Sequence, residues 1–203
     1  MRVFFIFFFV LCNSVCFAQN SKIANDEQSS FGISTSYRTF MCDNFLAKSY
    51  NNYPSFGMQF SLNVYKKFNL GAFYRYNKAK IISTQYVGNT QNSSVSDFGI
   101  FLSYSKKLNN KWLFIPKIGI GGFNLSNQII DNRSYDRFKY YTFGSVFFIA
   151  PEINYFINKD LSVFSEVDYG FVDFTGITAS KAAGTNYNAA NQLNFTLGIK
   201  VGF

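Results

Sequence analysis

The chain of 203 residues contains no histidine. That absence removes Ser-His and Cys-His nucleophilic pairs and every histidine-based metal site. Cysteine is nearly as scarce. Of the three present, Cys12 and Cys16 fall in the opening stretch MRVFFIFFFVLCNSVCFAQN, which leaves Cys42 alone in the body of the chain. One thiol cannot close an internal disulfide, and Cys42 reads as a plain loop residue. An apolar run long enough for a spanning helix is also missing. The longest, Val3 to Leu11, has about nine residues where about 20 are needed. With Arg2 before it and Cys16-Phe17-Ala18 after it, that run has the order of a cleavable export leader ending at residue 18. Leu11 and Val15 precede the two leader cysteines where lipidation wants a small residue, so no lipid anchor is expected. Acid is short as well: 11 Asp and Glu stand against 19 Lys and Arg, for a net charge of +8. The basic residues are scattered, with pairs only at the turns Lys66-Lys67 and Lys106-Lys107. A dispersed charge on an exported chain argues against nucleic acid as a partner.

What is abundant is aromatic. Phe and Tyr number 27 and 14 against one Trp, a load that suits a lipid-facing barrel with aromatic girdles. The last twelve residues, QLNFTLGIKVGF, carry the clearest pattern. Leu193, Phe195, Leu197, Ile199, Val201 and Phe203 alternate with small or polar residues, the period of a strand with one greasy face. The same alternation recurs along the chain. It predicts strands over Phe31 to Arg38, Phe56 to Tyr65, Phe68 to Asn77, Val95 to Ser105, Trp112 to Asn124, Tyr141 to Ile157 and Leu161 to Val172, followed by the terminal one. Long connections (Thr39 to Ser55, Lys78 to Ser94, Leu125 to Tyr140, Asp173 to Asn191) alternate with short turns. The pattern is that of an all-β fold: an eight-stranded antiparallel up-and-down transmembrane β-barrel with four long loops on one side. A spanning sheet must close, because an open edge leaves backbone groups unpaired in hydrocarbon. The expected organisation is a leader over 1–18, a flexible segment over 19–30 and a barrel over 31–203. Pro116 and Pro151 interrupt the scheme inside neighbouring strands, where bulges or a local gap are expected.

The polar face of these strands carries Arg38, Arg75, Asp97, Lys117, Glu152, Glu166, Asp168 and Lys200. In the opposite register Arg75, Lys117 and Lys200 would face lipid, at about 2–4 kcal/mol each near the midplane. They therefore point inward, and inside a narrow barrel they must pair. The expectation is that Asp97 and Glu166 or Asp168 pair with Arg75 and Lys200. Such a network either plugs the lumen or lines an ion path. Glu166 and Asp168 share one face, as general acid–base work would need, but the cations at hand favour structural pairing. Gly119, Gly121 and Gly122 have no helix after them, so no nucleotide loop is indicated. Asp131 and Asp136 could hold calcium, though they read more simply as a solvated loop. No catalytic machinery and no cofactor site is expected.

The terminal strand, with Phe195, Leu197, Ile199, Val201 and Phe203, resembles the assembly signal of Gram-negative outer-membrane β-barrels. The whole plan of leader, eight alternating strands and four long loops is similar to small barrels of the OmpA-transmembrane, OmpX and opacity-porin kind. The segment KIGIGGF at Lys117 to Phe123 resembles porin-like barrels of Bacteroidota, which include PorT-like proteins. The resemblance implies an outer-membrane location, contact with outer-membrane lipid and with the assembly machinery, and a structural or interaction role. It leaves open a small-solute channel or an accessory barrel of a secretion system. The loops, rich in Asn, Ser and Tyr, could meet protein partners. Their basic residues Lys48, Lys78, Lys80, Arg133, Arg137, Lys139 and Lys181 could meet phosphates of surface lipid.

Overall fold

A computed structural model describes residues 28–52, 54–83, 90–130, 137–175 and 188–203. The expected leader and most of the 19–30 segment lie outside the described residues, as do Asp131, Arg133, Asp136 and Lys181. The elements are β1 (Ser30–Met41), α1 (Phe45–Ser49), β2 (Tyr50–Asn52), β3 (Ser55–Tyr65), β4 (Phe68–Ile81), β5 (Thr90–Tyr104), β6 (Lys106–Lys107), β7 (Trp112–Ile130), β8 (Arg137–Phe156), β9 (Leu161–Thr175) and β10 (Ala189–Gly202). Short β2 pairs with the end of β4, and β6 carries the pairing of β5 with β7 past Ser105. The other eight strands form the wall. Each pairs antiparallel with its sequence neighbour, and β10 closes on β1 from Gly202 opposite Ser30 to Asn191 opposite Met41. Hydrogen-bonded partners traced round the wall run Ala72, Ile100, Ile120, Phe147, Phe171, Asn191, Met41. They climb from the short-turn end of β4 to the loop end of β1, which is the shear that tilts the strands of a closed barrel.

The outer face is apolar. Phe56, Leu62, Leu70, Phe98, Ile120, Ile149, Phe195 and Leu197 all stand exposed on it. At the short-turn end it closes on an aromatic rim, where Trp112 packs on Tyr155 at 4.9 Å and Phe68 on Tyr104 at 5.2 Å between ring centroids. Phe203 stacks on Phe60 at the same end. Toward the loops Tyr37, Tyr74, Tyr76 and Tyr169 stand outward. Aromatic girdles at both ends of an apolar band are what a bilayer-spanning barrel requires.

The strands run further toward the loops than the alternation suggests. β7 reaches Ile130 and β8 starts at Arg137, so most of the stretch expected as the third loop is ladder. There Asn124, Ser126 and Gln128 take the outward positions while Leu125 is buried inside. Above the bilayer the outer face meets water, so the apolar-out signal vanishes although pairing continues. Likewise Lys78 and Lys80 belong to β4, Arg137 and Lys139 to β8, and Asp173 to β9. The first loop also holds structure: Asn44 caps α1 by accepting the Ala47 amide at 3.0 Å.

Pro116 and Pro151 lie directly opposite each other, and the β7–β8 register passes through them without a bulge. The gaps fall on the outer sides. The β8–β9 ladder skips Ala150 and Pro151, and the pairing onto β7 skips Ile115 and Pro116 where β5 gives way to β6. In an antiparallel pair, residues that do not bond each other turn their amide positions toward the far neighbours. Two prolines facing one another therefore cost ladder bonds to β5 and β9, not to each other.

Inside, large rings face missing side chains. Phe73 pairs across strands with Gly99, Phe101 with Gly71, Phe123 with Gly144, Phe148 with Gly119, and Phe164 with Gly198. A Cβ at Gly119 would strike the Phe148 ring. Gly119→Val is expected to destabilise the barrel by about 1–3 kcal/mol through overpacking. The outward-facing control Thr35→Val should move stability by less than about 0.5 kcal/mol. Urea unfolding of the refolded chain in detergent micelles checks both.

Candidate functional site

The lumen has two closures. At the loop end, α1 folds into the mouth of the barrel. Phe45 and Leu46 from the helix and Tyr50 from β2 are buried against Phe40, Val95, Phe123, Leu125, Val146, Val172, Phe174 and Ala190 of the wall. Phe45 meets Phe174 edge-on at 5.4 Å, and Phe174 meets Phe123 at 5.2 Å. The Tyr50 hydroxyl donates to Asn127 Oδ1 at 3.0 Å, which also accepts from Ser93 at 2.6 Å. This apolar plug was not legible in the alternation, because Phe45 and Leu46 sit in a stretch without strand period.

Below the plug, Arg38, Arg75, Asp97, Lys117, Glu152, Glu166, Asp168 and Lys200 are all buried in the lumen. Arg38 Nη2 meets Asp97 Oδ2 at 2.6 Å, and Arg38 Nε donates to Asn194 Oδ1 at 3.1 Å. Asn194 Nδ2 donates to Asp168 Oδ1 at 2.9 Å. Asp168 pairs with Arg75, whose Nη2 meets Glu166 Oε1 at 3.0 Å. Lys117 Nζ bridges Glu166 Oε2 at 2.6 Å and Glu152 Oε2 at 2.5 Å, and Glu152 pairs with Lys200. All eight charges thus join one unbroken chain from Asp97 to Lys200. The expected partners hold for Arg75 and need correction elsewhere: Asp97 pairs with Arg38, and Lys200 with Glu152. Strand spacing indicates which residues face inward. Which of them meet across the lumen depends on shear.

Two neutral side chains complete the chain and were not singled out by charge. Asn194 joins Arg38 to Asp168. Gln59 accepts from Lys117 at 2.8 Å and donates to Glu152 at 3.2 Å. The cations also rest on the inward rings. Lys200 lies 4.7 Å from the Phe164 centroid, Lys117 4.9 Å from Phe101, Arg75 5.1 Å from Phe73, and Arg38 5.9 Å from Phe123. Each desolvated cation therefore has both a carboxylate and a ring face, and such ring contacts are worth most when dry. The ring–glycine pairs were the available signal, since they place rings on the polar face of the same strands.

Just under the plug, Arg38 Nη1, Asp97 Oδ1 and both polar atoms of the Gln192 side chain have no protein partner. Beneath Lys117 and Lys200, at the short-turn end, lies a small cavity of about 40 Å³ lined by Gln59, Ser103, Asn154 and Ser162. It has room for a few water molecules.

A wall greasy outside and charged inside suits an apolar surrounding, and its closed backbone meets the demand of hydrocarbon. Among solved structures, Neisserial surface protein A superposes with a TM-score of 0.61 at 7% identity, over 86% of this chain and 97% of that one. The fold is that of the small outer-membrane β-barrels. Ail, the attachment invasion locus protein of Yersinia pestis, solved with the heparin analogue sucrose octasulfate, matches at 0.50 and 8% identity, over 87% and 98% of the two chains. The outer membrane protein AlkL in lipid bilayers matches at 0.52 and 14%, over 91% and 93%. At these identities the likeness is one of fold. No protein-family model and no curated protein matches the chain.

Two outcomes follow from this geometry. Glu152→Gln leaves Lys117 and Lys200 short of their shared anion and should cost about 3–5 kcal/mol, the usual loss on breaking a buried pair. Adding Lys200→Met should recover part of that loss, and unfolding in micelles of the two single variants and the double variant measures the coupling. Burial pushes the Tyr50 phenol up to about 12, with the hydrogen-bonded Asn127 and Ser93 opposing. The neutral phenol belongs to the folded state. Its contribution is therefore full below about pH 10, the unfolded value, and is lost as pH rises through about 12. Wild type should lose more stability than Tyr50→Phe between those limits when midpoints are compared by pH.

Proposed function

We propose that this barrel is a closed, non-catalytic outer-membrane protein whose role is structural or interactive and lies at its loop-facing end. The observation that carries the reading is the double closure of the lumen. An apolar plug built on α1 lies over a chain of ion pairs that, joined at Asn194, links all eight inward charges. A solute would have to displace Phe45 and Leu46 and then separate dry pairs, each costly to break singly. In this reading residues 1–18 direct export. The outward residues Phe195, Leu197, Ile199, Val201 and Phe203 of the terminal strand present the assembly signal to the outer-membrane machinery. Contact with surface lipid or protein falls to the loop end, where Lys78, Lys80 and Lys139 are exposed. The fold relative Ail, solved with a sulfated sugar, supports anionic groups as one class of ligand there.

A second reading, a small-solute channel, draws on the buried polar atoms of Arg38, Asp97 and Gln192 that have no protein partner, a polar level of the lumen just under the plug. Single-channel recording of the mature chain refolded into a planar bilayer separates the two. The closed reading expects no steady openings from a folded barrel. Steady openings, altered in size by Arg75→Ala, would replace it with the channel.

A further inference from the structure

The outer wall is not uniformly filled. A groove of about 820 Å³ runs across β5, β7, β8 and β9 on the face that meets lipid, within the ~300–1,000 Å³ range of ligand clefts. Its floor and sides are Ile100, Ile120, Phe98, Phe147 and Phe171, with the Phe98 ring leaning over Gly122 on one side and the small Ser145 beside Gly122 on the other. The groove is not apolar to the top. Across the strands Gly122 pairs with Ser145, and Ser145 pairs with Asp173. Both Ser145 and Asp173 are exposed and line the loop-side rim.

Asp173 is the anomaly. The other outward charges on the loop-side wall among the described residues are the lysines Lys78, Lys80 and Lys139. Asp173 is the only charged group lining the groove, and none of the ion pairs among the described residues includes it. The tilt of the wall raises it relative to Gly122 along their shared row, to the height where the outward residues turn polar at Ser96, Asn124 and Asn191. That is the head-group level of the bilayer. A free carboxylate there, over an apolar cleft, is complementary to a head group that is positively charged and attached to an acyl chain.

We propose that this groove is a binding site for one lipid with a primary ammonium head group. The acyl chain lies between the Phe98 and Phe147 rings. The ammonium donates to the Asp173 carboxylate, and the Ser145 hydroxyl donates to a phosphate or ester oxygen. The bilayer position fixes the occupant as a lipid, and the sign of the rim charge selects the ammonium class over anionic lipid. The site is separate from the lumen and independent of whether the lumen conducts.

The test uses the full mature chain refolded in bilayers of equal parts phosphatidylethanolamine, phosphatidylcholine and phosphatidylglycerol, extracted into mild detergent and weighed by native mass spectrometry. Wild type should retain one phosphatidylethanolamine, enriched over phosphatidylglycerol by up to about fivefold, the ratio one exposed ion pair supports. Asp173→Asn should lose the enrichment, and Asp173→Lys should reverse it toward phosphatidylglycerol. Gly122→Leu, whose side chain would push the Phe98 ring into the groove, should retain less of all three. Asp173 is exposed on the wall, so its variants should fold, and the heat-shifted gel mobility of a folded barrel verifies it. Equal retention of the three lipids by wild type overturns the proposal. So does a preference that Asp173→Asn leaves intact, or preferential retention of phosphatidylglycerol with added magnesium, which would make the carboxylate a cation bridge to phosphate.

Discussion

Hydrocarbon offers no hydrogen bonds, and that constraint governs this molecule before any side chain is considered. Every amide and carbonyl at membrane depth must find a partner within the wall, so the sheet has to close. The closing seam is β10 on β1, paired along the whole length of β1. Once that ring is shut, each strand residue has only two directions available, and its parity decides whether it meets lipid or lumen. The facing prolines at 116 and 151 show how tightly the constraint binds. They are tolerated at positions that cost ladder bonds to outer neighbours while leaving the β7–β8 register continuous.

The interior follows from the same ring. An eight-stranded wall leaves a lumen narrow enough for side chains to fill, and the filling here is layered. Rings opposite glycines occupy the space that wall curvature would otherwise leave crowded or void. Cations lie on those rings, carboxylates join the cations, and Asn194 and Gln59 bridge what charge alone leaves apart. Buried ion pairs are weak contributors to net stability. Their stronger effect is on register, because shifting any of these strands by one residue would turn a charged side chain into the bilayer. The charge chain thus specifies one alignment of the wall as it blocks the centre of the barrel.

Outside the filled lumen and the α1 plug, the barrel presents two surfaces, the lipid-facing wall and the loop end. The long β7–β8 ribbon carries Tyr140, Tyr141 and Phe143 exposed on its loop-side portion, and β4 and β8 hold the lysines.

The alternation of Leu193 to Phe203, repeated along the chain, was enough to determine strand number, face and closure, because period two in a lipid-facing wall leaves one consistent solution. The inward direction of the eight charges followed from the cost of the opposite register. Their partners did not. Asp97 meets Arg38 and Lys200 meets Glu152 because shear brings residues distant in sequence to one height, and no strand encodes its own stagger. The ends of the long strands were hidden for a related reason, since above the bilayer the outer face no longer needs apolar residues. The plug and the groove belong wholly to tertiary structure. Phe45 and Leu46 have no periodic signature, and the groove forms only when Phe98, Ile120, Phe147 and Phe171 from four strands stand around it.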